Sequence, residues 1–179
     1  MSASKPPFLE PEIRESLRHV SVRGGRVELR AFPDFLIIGP QRTGTTWLHE
    51  NLRSHPQLFL PKGKESYYFS TLGRPEHPKF RYSELEDYLG AMDDGCRDRL
   101  RKTAHCLLNF GQLYRPEVRG EATATYAKLP GEVIAEICRI NPEIKAVLML
   151  RDPLERAWSH AKKDLVDSSG GPASQIPAV

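Results

Sequence analysis

Gly39 and Gly44 stand five apart in the stretch IIGPQRTGTTWL, and Thr45 and Thr46 follow the second glycine. This is the spacing of the phosphate-binding pattern G-x-x-x-x-G-K-[ST], with a threonine where the lysine belongs. The glycines permit tight turns, and the amides from Thr43 to Thr46 should converge at the start of a helix whose dipole favours an anion. Arg42 adds a permanent charge with several N–H donors, and the threonine hydroxyls add neutral ones. In a nucleotide triphosphatase the lysine reaches the β- and γ-phosphates and the next hydroxyl ligates magnesium. Without the lysine, the loop predicts binding of a nucleotide 5′-phosphate without metal-dependent triphosphate chemistry. Two other readings stay open on this segment alone. One is a glycine turn opening an ordinary helix; the other is a P-loop kinase, which requires magnesium-dependent ATP binding.

A second constellation lies in LMLRDPLERAWSH, residues 148–160. It places Arg151 at the carboxyl end of an apolar strand and Ser159 two turns into the following helix. Open α/β sheets bind ligands at that end of their strands. Taken singly, Arg151 is equally explained as an ion-pair partner of Asp152 or Glu155, and Ser159 as a neutral helix residue.

The elements that must position these residues alternate strand and helix. DFLIIG is a short apolar strand ending in glycine, and TTWLHENLRSHP carries Trp47, Leu48 and Leu52 at helical spacing until Pro56 stops it. Val133, Ile134, Ile137 and Ile140 mark a helix, Asn141-Pro142 a turn, and KAVLML a strand apolar on both faces, as in the centre of a parallel sheet. Asp152 caps the next helix with Pro153 at its first position, and Leu154, Trp158, Ala161 and Leu165 form its inner stripe. YSELEDYLGAM predicts a helix with a Ser83/Glu86 capping box, and RGEATATY a third strand running into a loop. The implied fold is α/β, a P-loop-like parallel sheet flanked by helices, with three strands and an incomplete C-terminal side. Residues 1–33 read as a tail with a short surface helix in PEIRESLRH and a small hairpin in VSVRGGRVELR; 34–166 form the domain, and 167–179 a low-complexity, disordered end.

Composition narrows the partners. A chain of 179 residues with 39% hydrophobic and 27% charged residues can build one domain with a core, not two. A net charge of +3 suits an anionic ligand but is too mild for a nucleic-acid binder. No apolar run is long enough for a membrane span and the N-terminus lacks the order of a secretory signal, so the chain reads as cytoplasmic. Cys96, Cys106 and Cys138 are odd in number and lack C-x-x-C spacing, and His49 and His55 share no helix face; no disulfide framework or metal site is expected. Nothing in the sequence reports the oligomeric state.

GPQRTGTTWL and LMLRDPLERAWSH, in this order and at this separation, resemble the 5′-phosphosulfate loop and the 3′-phosphate motif of the sulfotransferases that use 3′-phosphoadenosine-5′-phosphosulfate (PAPS). Between them, PKGKESYYFS and RGEATATY resemble the lysine/glutamate-aromatic and acidic-threonine-tyrosine segments of the heparan-sulfate-like branch. The resemblance implies that Arg42, Thr43, Gly44, Thr45 and Thr46 hold the 5′-phosphosulfate, and Arg151 with Ser159 the 3′-phosphate. It implies PAPS as sulfuryl donor without a metal, and a small-molecule or carbohydrate acceptor offering a hydroxyl or amine. Arg42 stands where the family often has a catalytic lysine; arginine cannot give up its proton, so it is expected to act as an electrostatic clamp. Glu65 is the candidate base, with His105 second because cytosolic relatives use histidine. Ala122 departs from the branch, which carries lysine after the glutamate, and the family continues beyond this chain with a basic, glycine-containing segment over the nucleotide. A non-catalytic nucleotide-binding remnant is the alternative function.

Overall fold

The computed structural model describes residues 5–169. In chain order its helices are α1 (Pro11–Ser16), α2 (Thr45–Arg53), α3 (Leu85–Gly90), α4 (Cys96–Phe110), α5 (Gly131–Ile140) and α6 (Pro153–Ser169). Its strands are β1 (Phe35–Gly39), β2 (Leu58–Phe59), β3 (Val118–Ala122) and β4 (Lys145–Leu148). All strand pairs are parallel, in the order β2-β3-β1-β4. β1 is therefore central, with Leu36 opposite Glu121 on β3 and Ala146 on β4.

Successive side chains of a strand point to opposite faces, and β1 is covered on both. Ile37 packs with Leu60 and Ala122 under Leu48 and Leu52 of α2. Leu36 joins a larger cluster with Phe32, Phe59, Val133, Ile137 and Ile140. That cluster is rich in aromatic rings: Tyr68 stacks on Tyr88 at 4.4 Å, and Phe69 meets Tyr88 and Tyr126 edge-on. Two of these rings, Tyr68 and Phe69, belong to the segment that carries Glu65.

The α/β class and the parallel sheet agree with the sequence; several details do not. Among the described residues there are four strands rather than three, because β2 is too short to show any periodicity. Residues 20–30 form no hairpin. Phe8 bridges Glu28 instead, and Val20, Val27 and Leu29 are buried in the main cluster. The carboxylate of Glu136 on α5 accepts the N–H groups of Arg18, His19 and Val20 and lies 2.9 Å from the His19 ring, so the N-terminal stretch is part of the domain. Burial raises the Glu136 pKa, but these bonds outweigh it and hold the carboxyl below its ordinary value.

The Ser83/Glu86 capping box is absent: Glu84 is the residue before α3 and makes no cap bond, while Ser83 bonds Asp87 and Glu86 accepts the Arg23 N–H. α4 has no counterpart among the expected elements, since Leu100, Leu107 and Leu108 are exposed and only Cys106 is buried. Trp47 is exposed, and the buried residues of α2 are Thr45 and His49. β4 lies at an edge, not in the centre, leaving Leu148 and Leu150 exposed; on α6 the expected inner stripe at Leu154, Trp158 and Leu165 is exposed too. α6 runs through Ser169, so residues 167–169, expected to be disordered, are helical; the rest of that expected end lies outside the described residues. The three cysteines are free thiols.

Candidate active site

The loop between β1 and α2 turns at two glycines. Gly39 has φ 98°, and a Cβ there would lie 2.3 Å from the Ala124 carbonyl oxygen, so only glycine lets the end of β1 pass the turn that follows β3. Gly44, at φ 91°, is left-handed and immediately precedes α2. Arg42 adopts φ 68° without being glycine, a conformation that persists only where the surroundings impose it. Thr43 Oγ1 donates to the Pro40 carbonyl at 2.7 Å, closing the loop. The first N–H groups of α2 have no intrahelical acceptors and open toward this loop.

The two sequence motifs meet here although they are far apart in the chain. Arg42 Nε donates to Ser159 Oγ at 3.0 Å, and Arg151 Nη1 donates to the Arg42 carbonyl at 3.2 Å. Arg151 also pairs with Glu155 at 3.2 Å, an exposed contact one helical turn away that leaves the guanidinium accessible. Asp152 is a cap, as expected: its Oδ1 accepts the Leu154 and Glu155 N–H groups, both at 3.0 Å. A phosphate fits this donor set of two guanidinium groups, hydroxyls and a helix start.

The amine missing from the loop is supplied from elsewhere. Lys64 Nζ lies 2.8 Å from Thr45 Oγ1 and 3.3 Å from Thr46 Oγ1, and 3.4 Å from its neighbour Glu65. Lys64 is a residue the sequence reading does not name; the paired lysines before the glutamate in PKGKE are the signal that points to it. His49 ties down this segment: its ring is fully buried, Nε2 donates to the Pro61 carbonyl at 3.1 Å and Nδ1 lies 3.2 Å from the Glu50 carboxylate. Burial holds the His49 pKa below its ordinary value.

Glu65 is largely buried, and its Oε2 has no hydrogen-bond partner. An unpartnered buried carboxylate oxygen is costly to stability, which marks it as an acceptor awaiting a donor. Tyr67, two residues on, is the second non-glycine residue with positive φ, at 59°. Its hydroxyl pKa is raised, by burial first and then by the charge of Glu65 and a hydrogen bond to that carboxylate, so it remains a donor at neutral pH. His105 is on α4, exposed, 3.2 Å from Asn109 in its own helix. Ala122, where a lysine was expected by resemblance, is buried against Ile37 and Leu60. Among the described residues no group of histidine, cysteine or carboxylate side chains could hold a metal ion, and no helix is long and apolar enough to cross a membrane.

Three known proteins are similar to this chain. Carbohydrate sulfotransferase 15 of Mus musculus is 30% identical, over 79% of this chain and 29% of that protein. The membrane-associated sulfotransferase kil1 of Dictyostelium discoideum is 26% identical, over 74% of this chain and 23% of its own length. The crystal structure of a sulfotransferase from Alicyclobacillus acidocaldarius aligns with 81% of this chain and 53% of that one, at 23% identity and a TM-score of 0.48. The chain thus spans less than a third of the length of these curated relatives. The model of the Sulfotransferase family matches residues 33–176, which include the β1–α2 loop, the Lys64–Glu65 segment and the Arg151–Ser159 pair, and the chain belongs to that family.

Proposed function

We propose that this chain binds PAPS and takes part in transferring its sulfuryl group to a carbohydrate hydroxyl or amine. The observation that carries the reading is the pairing of Lys64 on the Thr45 and Thr46 hydroxyls with a partnerless oxygen on the adjacent Glu65. One side chain directs positive charge at the phosphate loop while its neighbour offers a proton acceptor beside it. The donor, when bound, supplies the sulfuryl group.

The chain's own residues would divide the remaining work. Thr43, Gly44, Thr45 and Thr46 would hold the 5′-phosphosulfate through backbone and hydroxyl donors, with Arg42 as electrostatic clamp. Arg151 and Ser159 would hold the 3′-phosphate. Because Arg42 already contacts Ser159, the clamp would tie the two phosphate sites into one donor surface. Lys64 would steady the negative charge that develops on the leaving phosphate oxygen. Glu65 Oε2 would take the proton from the acceptor as its oxygen or nitrogen bonds to sulfur. Family membership and the carbohydrate sulfotransferase relatives support this assignment and the choice of acceptor.

The test is incubation with PAPS and a mixed acceptor library, read by mass spectrometry, beside calorimetric titration with adenosine 3′,5′-bisphosphate. Sulfated carbohydrate is the expected product. Sulfation confined to phenols or steroids would overturn the carbohydrate acceptor. Nucleotide binding without any transfer would leave the binding-only reading, which the exposed apolar residues of β4 and α6 beside Arg151 favour.

A further inference from the structure

Glu121, at the end of β3, is fully buried, and four side-chain hydroxyls surround its carboxyl group. Oε1 accepts from Ser66 Oγ and Thr123 Oγ1, both at 2.5 Å; Oε2 accepts from Tyr88 OH at 2.5 Å and Tyr126 OH at 3.3 Å. Among the described residues no lysine, arginine or histidine pairs with it. Burying a carboxyl group away from cations is an expensive way to join packed elements, and apolar residues would do so at lower cost. Burial accordingly pushes the Glu121 pKa up, partly offset by the hydroxyl bonds.

Three of the four hydroxyls come from α3 and the turn after β3. The fourth, Ser66, belongs to the irregular segment next to Glu65. Ser66 is fastened through both its N–H and its Oγ. Its N–H donates to Thr123 Oγ1 at 3.2 Å, its Oγ lies 3.0 Å from Tyr126 OH, and that same Oγ accepts the Tyr68 N–H at 3.3 Å. Tyr126 OH also accepts the Phe69 N–H at 3.3 Å. The segment is thus pinned at Pro61 by His49, at Lys64 by Thr45, and at Ser66 by the Glu121 cluster. Glu65 lies between the last two pins, with no partner of its own on Oε2.

We infer that Glu121 is a positioning residue that acts through Ser66 to hold Glu65 and Lys64 in register with the phosphate loop. The role rests on the function proposed above, in which Glu65 and Lys64 act on acceptor and donor. Glu121 touches neither ligand. Its carboxylate, an acceptor only, orients every hydroxyl of the cluster inward as a donor, so the Ser66 Oγ has one place to go.

Two variants separate positioning from plain stability. Ser66→Ala removes the link to the loop while leaving Tyr88 and Thr123 on the carboxyl group, and Glu121→Ala removes the hub. Both should lower kcat by about 10- to 100-fold, the scale for displacing reacting groups by about an ångström. Adenosine 3′,5′-bisphosphate should bind each folded variant within about twofold of wild type, because the phosphate loop is untouched. Glu121→Gln keeps the shape and one acceptor oxygen, which can still receive Ser66 Oγ while the amide N–H groups donate to the tyrosine oxygens, and should recover part of kcat. The double variant should be no slower than the slower single one, since both act along one path. Ser66→Ala with wild-type kcat, or nucleotide affinity falling in step with kcat, would overturn the inference. Hydrogen exchange reads the same link without turnover. Amides 64–69 should exchange at least about tenfold faster in Ser66→Ala than in wild type while those of β1 hold steady. Unchanged exchange in 64–69 would overturn it. Wild-type protein that transfers no sulfuryl group while showing the exchange change would sink the catalytic reading and leave the positioning link standing.

Discussion

Replacing Lys64 with alanine isolates the amine that the loop itself lacks. Lys64 is mostly buried, its Nζ makes two hydroxyl contacts at 2.8 and 3.3 Å, and its charge lies 3.4 Å from the Glu65 carboxylate. In the resting protein each contact is a charged-to-neutral bond, and losing such bonds costs about 1.5 to 3 kcal/mol in all once the hydroxyls find other partners. In the transfer step the same amine faces growing charge on the leaving oxygen. Removing one preorganised donor of that kind typically costs about 2.7 to 4 kcal/mol, or a factor of 10² to 10³ in kcat. Lys64→Ala should therefore lower kcat by about 100- to 1000-fold while weakening adenosine 3′,5′-bisphosphate by no more than about tenfold. Lys64→Arg should retain part of the rate, because charge survives but the broader guanidinium does not fit between the two hydroxyls in the same way. The assay is single-turnover transfer at saturating donor, with circular dichroism to verify the fold. A folded Lys64→Ala protein whose kcat stays within about threefold of wild type would refute the role given to this amine and, with it, the account of how the threonine loop works.

Arg42→Ala should weaken PAPS binding and slow transfer together by about 10- to 100-fold, and Arg42→Lys should keep part of both; calorimetry and steady-state kinetics check it. Arg151→Ala should shrink the preference for adenosine 3′,5′-bisphosphate over adenosine 5′-monophosphate toward unity while leaving the monophosphate nearly unaffected. Equal wild-type affinity for the two nucleotides would remove the 3′-phosphate role. Glu136→Ala should destabilise the fold by about 2 to 4 kcal/mol in urea titration, because the N–H groups of Arg18, His19 and Val20 lose their acceptor. The folded pKa of Glu136 is held low, so its stabilising contribution is present above its ordinary value of 4.5 and is lost as the pH falls through the folded value. The stability difference between wild type and Glu136→Gln should shrink over that acid range. For Glu121 the sign is reversed: its folded pKa is raised, so wild type should lose stability relative to Glu121→Gln as the pH rises from its ordinary value of 4.5 through the folded value.

What the sequence by itself determined is local. The glycines at 39 and 44, the apolar run before them and the helical spacing after them specify strand, loop and helix within twenty residues, because turn conformation and amphipathic period are properties of neighbouring residues. The Asp152-Pro153 start of α6 was legible for the same reason, and so were the buried positions Val133, Ile137 and Ile140 of α5. Tertiary structure alone decided what crosses the chain. Two-residue β2 exists only because β3 accepts it, and KAVLML is an edge rather than a centre because nothing among the described residues pairs with its far side. Residues 20–30 read as a hairpin from their glycines, yet Glu136, more than a hundred positions away, captures the backbone where they begin. Lys64 reaches Thr45 across 19 residues, Arg42 reaches Ser159 across 117, and Glu121 collects Ser66 from 55 positions upstream. Such pairings carry no period and no fixed spacing. They are set by which apolar faces pack together and by the need of each buried polar group for a partner, and those demands are met only when the whole domain has closed.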